Sequence, residues 1–320
     1  MTVEWIFAPD DVARLRFAFS PLWEAVMSLR VLKAPDRHAL HLPWVRAVRR
    51  RVAELPLGEV SALVPVTGYV ADFLTPPPES PLPEFTAELE RLEKTPPEAA
   101  AAEASRVPGA DPAVVERFQR DPEAAVRRVA DALRLYWDEV LSGYWPRILT
   151  LLETDVLKRT RRLAAGGARA LFADLHERVR WTGDRLIVEK RYTRTTPLGG
   201  DGLLLVPSVF SWPGILLMCG PYQPMLSYPA LGIGTLWEEG PPPAPQGLAA
   251  LIGRRRAEIL LALADPASTT ALARRLSITP GAVSQHLSVL LGGGLVVRGR
   301  VGREVVYRRT ALGDTLACAP

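Results

Sequence analysis

TTALARRLSITPGAVSQHLSVLLGGGL, residues 269–295, is the stretch that decides how this chain reads. Thr279 suits the cap of a helix, and Pro280 suits its first position because an N–H there would have no partner. Val283, Leu287 and Leu290 then recur at i, i+4 and i+7, which predicts one stripe turned to a core. The opposite face carries Gly281, Ser284, Gln285 and Ser288, short polar side chains around a bare backbone. Gly292, Gly293 and Gly294 stop the helix. Ahead of it, Leu272 and Leu276 mark one face of a shorter helix, and Ser277-Ile278 form a tight turn between the two.

Upstream, LIGRRRAEILLALADPAS places Ile252, Ile259, Leu260 and Leu263 at helical spacing, with Asp265-Pro266 ending the helix. Downstream, VVRGRVGREVVYRRT is two β-branched runs joined by a turn at residues 300–303. Helix, helix, turn, helix and hairpin over residues 248–320 is the order of a winged helix-turn-helix.

Residues 271–313, ALARRLSITPGAVSQHLSVLLGGGLVVRGRVGREVVYRRTALG, resemble the ArsR-type winged-helix transcriptional regulators, with four pieces of the family pattern in register. The resemblance implies a homodimeric repressor or activator whose third helix enters the major groove. It also implies a phosphate contact for His286. Two departures stand out. The segment TALGDTLACAP after the wing holds only about two turns of the family's long final helix, so the N-terminal domain is expected to supply most of the dimer contact. The family's metal sensors carry paired cysteines on the helix corresponding to TTALARRLS, and none stands here. No metal and no cofactor are expected.

Charge follows the same division. The chain's 320 residues, 48% of them hydrophobic, can fill two cores, and the formal net charge is only +4. From residue 247 onward, however, ten arginines face four carboxylates, giving +6 there and −2 for the rest. The positive field that nucleic acid requires belongs to the C-terminal quarter.

The front of the chain reads as α+β: a mainly helical region over 1–180, then a strand-rich part over 181–237 that forms a small β-sheet. Ser20-Pro21 opens a helix striped by Leu22, Val26, Leu29 and Leu32, and Trp44, Val45, Val48 and Val52 stripe a second. Residues 75–83 are a proline-rich loop, and TPPEAAAAEAS at 95–105 reads as an exposed segment. A long helical region from Pro122 to about His176 is expected to break near 143–146 and again at Gly166-Gly167. The apolar run 202–222 is long enough to span a bilayer, but Pro207, Pro213 and Pro221 cut it to strand lengths. No membrane association is expected, and MTVEWIFAPDD has no secretory pattern, so the location reads as cytoplasmic. EEGPPPAPQG, residues 238–247, is a stiff linker between a 1–237 effector or oligomerisation domain and the 248–320 DNA-binding domain. SPLWEAVMSLRVL, LLLVPSVFSWP and SYPALGIGTLW resemble an uncharacterised domain found ahead of such winged helices in actinobacterial regulators.

The functional expectation is a sequence-specific double-stranded DNA-binding regulator, with recognition helix 279–291 and a basic wing at 298–308. Thr279, Pro280, Gly281, Ser284, Gln285 and Ser288 are the candidate groove residues, and Arg298, Arg300 and Arg303 the candidate phosphate contacts. Gln285 is the best base reader, since an amide forms paired hydrogen bonds with adenine. All eight tryptophans precede residue 238, and Trp181, Phe210, Trp212, Tyr222, Tyr228 and Trp237 form a candidate pocket for a small-molecule effector, or else an ordinary core. No nucleophile elbow, phosphate loop or clustered His, Cys and carboxylate set marks an enzyme. The alternative class is an enzyme or interaction scaffold whose winged helix contacts protein.

Overall fold

The computed structural model describes residues 1–237, 245–264, 266–276, 278–301 and 304–317. The chain divides into two compact units, Met1–Glu238 and Glu239–Pro320. The fold class is α+β. Of the expected linker, residues 238–244 lie outside the described residues, while 245–247 already belong to a helix.

The N-terminal unit opens with β1 (Thr2–Ile6), α1 (Pro9–Ala13), β2 (Arg16–Phe17) and α2 (Pro21–Lys33). Five further helices follow: α3 (Leu42–Val52), α4 (Gly58–Ala62), α5 (Phe85–Glu93), α6 (Pro97–Arg106) and α7 (Pro112–Arg120). Next come α8 (Pro122–Tyr136) and α9 (Trp145–Phe172), and then six strands: β3 (Val179–Trp181), β4 (Arg185–Glu189), β5 (Arg194–Pro197), β6 (Leu204–Ser208), β7 (Leu216–Met218) and β8 (Met225–Pro229). The capping chemistry is local. Ser20 Oγ accepts from Trp23 N at 2.9 Å, and Asp121 Oδ1 accepts from Ala124 N at 3.1 Å, each ahead of a proline in the first turn.

One sheet is ordered β2-β6-β8-β7 and forms a middle layer. Its Leu204, Val206, Met218 and Met225 face the helical core, and Leu205, Leu226 and Tyr228 face a second core. A strand buried on both faces reads as a continuous apolar run, which is why residues 202–222 look membrane-like in sequence. Among the described residues no helix is long and apolar enough to cross a membrane. The second core is closed by Leu171 and Phe172 of α9 and by a sheet ordered β3-β4-β1-β5, in which β1 runs antiparallel to β4 and parallel to β5.

Two expectations need correction here. The region 1–180 is not purely helical, because β1 is an interior strand of that second sheet; its partners lie about 185 residues downstream, beyond any local signal. Nor is 95–105 an exposed segment. Ala100, Ala101 and Ala104 bury one side of α6 against its neighbours, where a methyl side chain permits close approach. The first helix break is a turn at 142–144, at the near edge of the expected 143–146 and preceded by an unexpected π turn at Trp137–Leu141. The second is as expected, with Gly167, at φ +64°, in a conformation other residues avoid inside α9.

The C-terminal unit contains α10 (Pro245–Ile252), α11 (Arg254–Ala262), β9 (Ala267–Ser268), α12 (Thr269–Leu276), α13 (Pro280–Gly292), β10 (Val296–Val301), β11 (Glu304–Arg309) and α14 (Ala311–Ala317). Residues 248–264 are two helices instead of one, separated at Gly253, where φ is +87°. Ile259, Leu260, Leu263, Leu272, Val283, Leu287 and Leu290 form this unit's core.

Candidate nucleic-acid interface

The presentation of α13 begins with its two ends. Thr279 Oγ1 accepts from Ala282 N at 3.3 Å, and Thr279 O accepts from Val283 N at 3.1 Å. At the other end Leu295 N donates to Leu290 O at 2.9 Å and Gly294 N to Leu291 O at 3.0 Å. This is a Schellman motif, and it places Gly294 at φ +67°, a left-handed conformation that glycine adopts without a Cβ penalty. Leu290 and Leu295 are both buried behind it. The turn from α12 is short: Ile278 N donates back to Ala273 O at 3.1 Å. Ser277 lies outside the described residues.

With both ends pinned and Val283, Leu287 and Leu290 inside, the helix has one orientation. Gly281, Ser284, Gln285 and Ser288 stand exposed along one line, with Thr279 and Pro280 exposed at its start. Spacings of three and four residues put those four on a single face. Apart from its chain neighbours and the backbone of its own helix, no heavy atom among the described residues lies within 4 Å of where a Cβ on Gly281 would sit, so the backbone there is open to close approach. Val289, 52% exposed, flanks the same face and was not anticipated from the sequence. His286 is not brought there. It is half-buried, about 150° around the helix from the centre of the exposed face at 100° per residue.

The hairpin is built by six antiparallel pairs from Val296↔Arg309 to Val301↔Glu304, and β9 adds a third strand through Val306↔Ser268 and Tyr307↔Ala267. Strand alternation puts Val296, Arg298 and Arg300 on one face and Val297 and Gly299 on the other. Arg298 stands opposite Tyr307 and Arg300 opposite Val305, so both arginines share the face that packs on the helices nearer the base. Both are exposed. Arg308, paired with Val297, faces the other way. Arg303 lies outside the described residues.

The remaining arginines of this unit sort by partner. Arg255 pairs with Glu258 at 2.8 Å and Arg309 with Asp314 at 2.9 Å, while Arg275 donates to Ala262 O at 3.0 Å and so caps the end of α11. The side chains of Arg274, Arg298, Arg300 and Arg308 make no ion pair or hydrogen bond among the described residues. Their donors are therefore available to phosphate oxygens.

The six aromatic residues proposed to form a pocket do not converge. Phe210 and Trp237 are core residues packed about His41, whose Nδ1 accepts from Trp237 Nε1 at 2.9 Å; Trp212 sits at the edge of this group. Trp181 stacks on Phe172 at 5.3 Å in the second core. Tyr222 donates to Glu103 Oε1 at 2.9 Å, and Tyr228, fully buried, donates to Asp155 Oδ2 at 2.8 Å. Nearness in sequence misled here because chain reversals and strand alternation send neighbouring aromatics to opposite sides of the middle sheet.

Residues 255–299 match a family model described as a helix-turn-helix domain. Residues 97–233 match one described as a family of unknown function, DUF5937. No curated protein and no solved structure matches the chain. The match over α11 to β10 supports the same conclusion as the geometry of α12 and α13: this is a DNA-binding transcription regulator of the helix-turn-helix class.

Proposed function

We propose that the chain is an ArsR-type repressor that binds double-stranded DNA as a homodimer in the cytoplasm, with residues 279–291 in the major groove and the wing 298–308 along the backbone. In this reading residues 1–237 serve oligomerisation and effector binding, and 238–247 link them to the DNA-binding domain. The observation that carries it is the exposed line Gly281, Ser284, Gln285 and Ser288, small and polar, on a helix whose other side is fully committed to a core. A major groove about 12 Å wide admits such a helix. Arg298 and Arg300, exposed on one face of the hairpin, support a wing contact. Leu251, Leu261 and Leu312 stand exposed on α10, α11 and α14, which supports a share of the dimer contact for this unit beside that of the N-terminal one.

The test separates roles by residue. In fluorescence anisotropy on promoter duplexes, Gln285→Ala is expected to cost on the order of 1–3 kcal/mol at the specific site and to leave non-specific affinity unchanged. Arg300→Ala is expected to weaken binding to every sequence and to lower the log–log salt slope by about 0.9. Equal, salt-insensitive losses in the two variants would refute the assignment.

Gly281 provides a second check, because its open surroundings let alanine fit the free protein. Gly281→Ala should stabilise the helix by up to about 1 kcal/mol. The same methyl should cost about 1 kcal/mol or more of DNA affinity if the backbone approaches a phosphate. Unchanged anisotropy in a variant with a raised Tm would remove Gly281 from the contact surface.

A further inference from the structure

The N-terminal unit contains a cavity of about 1050 Å³ that none of the six aromatic candidates lines. Its apolar floor is Leu216 and Leu217 of β7 with Tyr192, which keep some exposure, while Trp23, Met27 and Met218, also in the lining, are almost wholly buried. Its walls carry Arg30, Arg106, Arg178, Lys190, Arg191 and Arg194 against only Asp72 and Glu189. A formal excess of four positive charges therefore collects in one cleft of a region, residues 1–246, that sums to −2. Charge gathered in a concave site with low-dielectric walls focuses field on whatever enters.

The cations nearest the floor are held by neutral groups. Lys190 Nζ donates to Ile215 O at 2.8 Å, and Arg30 Nε donates to Pro65 O at 2.8 Å while its Nη2 reaches Gly68 O. Arg194 Nε donates to Thr196 Oγ1 at 3.2 Å. None of the three has a carboxylate partner among the described residues. Burial pushes the Lys190 ammonium down to about 8, and the positive charges of Arg178 and then Arg30 add to that. Asp72, within the same lining, accepts from Tyr69 OH at 3.0 Å, and Arg106 lies over the Tyr69 ring at 4.6 Å. Two half-buried cations, positioned by carbonyls and left without a counter-charge beside an apolar floor, form a preorganised receptor for an anion that carries an apolar body.

We propose that this cavity binds a small amphipathic anion, its apolar part against Leu216, Leu217 and Tyr192 and its acidic head group between Lys190, Arg30 and Arg194. The inference gives a chemical class to the effector in the regulator reading and rests on that reading only for its consequence at DNA. Binding itself is measured without DNA, so failure here and failure of the regulator reading are distinguishable.

The probe is 8-anilino-1-naphthalenesulfonate, titrated into the full chain by fluorescence, with uncharged N-phenyl-1-naphthylamine as its neutral counterpart. One saturable site is expected, with the sulfonate binding roughly tenfold or more tighter than the neutral dye. Lys190→Met should weaken the sulfonate by a similar factor and leave the neutral dye unchanged. Arg194→Met, at an exposed position, gives a second variant whose fold is not at stake and should weaken the sulfonate in the same direction. Equal affinity for the two dyes, or sulfonate binding indifferent to both substitutions, would overturn the proposal.

Discussion

Replacing Asp155 with alanine is expected to destabilise the N-terminal unit by about 3–5 kcal/mol. Asp155 is fully buried in α9 and accepts four hydrogen bonds or ion-pair contacts. Arg159 Nε lies 3.2 Å from Oδ1 and 2.9 Å from Oδ2, Leu231 N 3.0 Å from Oδ1, and Tyr228 OH 2.8 Å from Oδ2. The carboxylate thus ties the long helix to the end of β8. Alanine would leave the Arg159 guanidinium, itself 1% exposed, with only the longer contact from Nη1 to Asp174 Oδ1 at 3.7 Å, and would leave a buried hydroxyl and a peptide N–H unpaired. Because all eight tryptophans precede residue 238, denaturant unfolding followed by tryptophan fluorescence reports this unit alone. The paired variant Asp155→Leu with Arg159→Met should recover part of the loss, since much of it is the stranded charge. A loss under about 1 kcal/mol in the single variant would show that Asp155 does not hold the two elements together.

The second large effect is a fall in stability with rising pH. Glu24 of α2 accepts from Ser208 Oγ and from the peptide N–H groups of Val209 and Phe210; its burial outweighs these bonds and pushes its pKa up to about 7. Glu88 of α5 accepts from Ser20 Oγ and Leu22 N at the start of α2, and burial pushes it up to about 8. A carboxyl whose pKa is raised on folding contributes stability that is complete below its unfolded value, 4.5 here, and lost as pH rises through the folded value. His41 acts in the opposite sense. Burial among aromatic rings lowers it to about 3, so its contribution is present above 6.5 and lost on acidification. The two carboxyls outweigh one imidazole between pH 5 and 6.5, and nothing in this group opposes them above 6.5.

Stability of the unit should therefore drop by roughly 3–5 kcal/mol between pH 5 and 8, at about 1.4 kcal/mol per pH unit for each carboxyl in its window. Glu88→Gln should flatten the profile above pH 7, where Glu88 acts alone. A profile flat from pH 5 to 8 in the unsubstituted chain would contradict the argument.

Much of the C-terminal unit was legible in the sequence because its signals are local. The Thr279-Pro280 cap, the Val283, Leu287 and Leu290 stripe and the glycine stop each act within one or two helical turns, and each appears in the structure where that spacing puts it. The same arithmetic, carried around the helix, puts His286 about 150° from the groove candidates, where the structure has it half-buried. Less visible were β9, two residues long, and the break at Gly253, which a continuous apolar pattern concealed. In the N-terminal unit the caps and the Gly166-Gly167 kink were again local and readable, whereas the interior position of β1 was not.

By itself, then, the sequence determined the α+β class, the order of elements around α12 and α13, and which end of the chain carries the positive field. Only the tertiary structure decided which side chains meet. Tyr228 finds Asp155 across 73 residues, and Glu24 finds Val209 across 185. The cavity draws Arg30 and Lys190 from elements 160 positions apart. Such partners are selected by burial and by the need to satisfy every polar group taken out of water, conditions that operate through space and leave no periodicity along the chain.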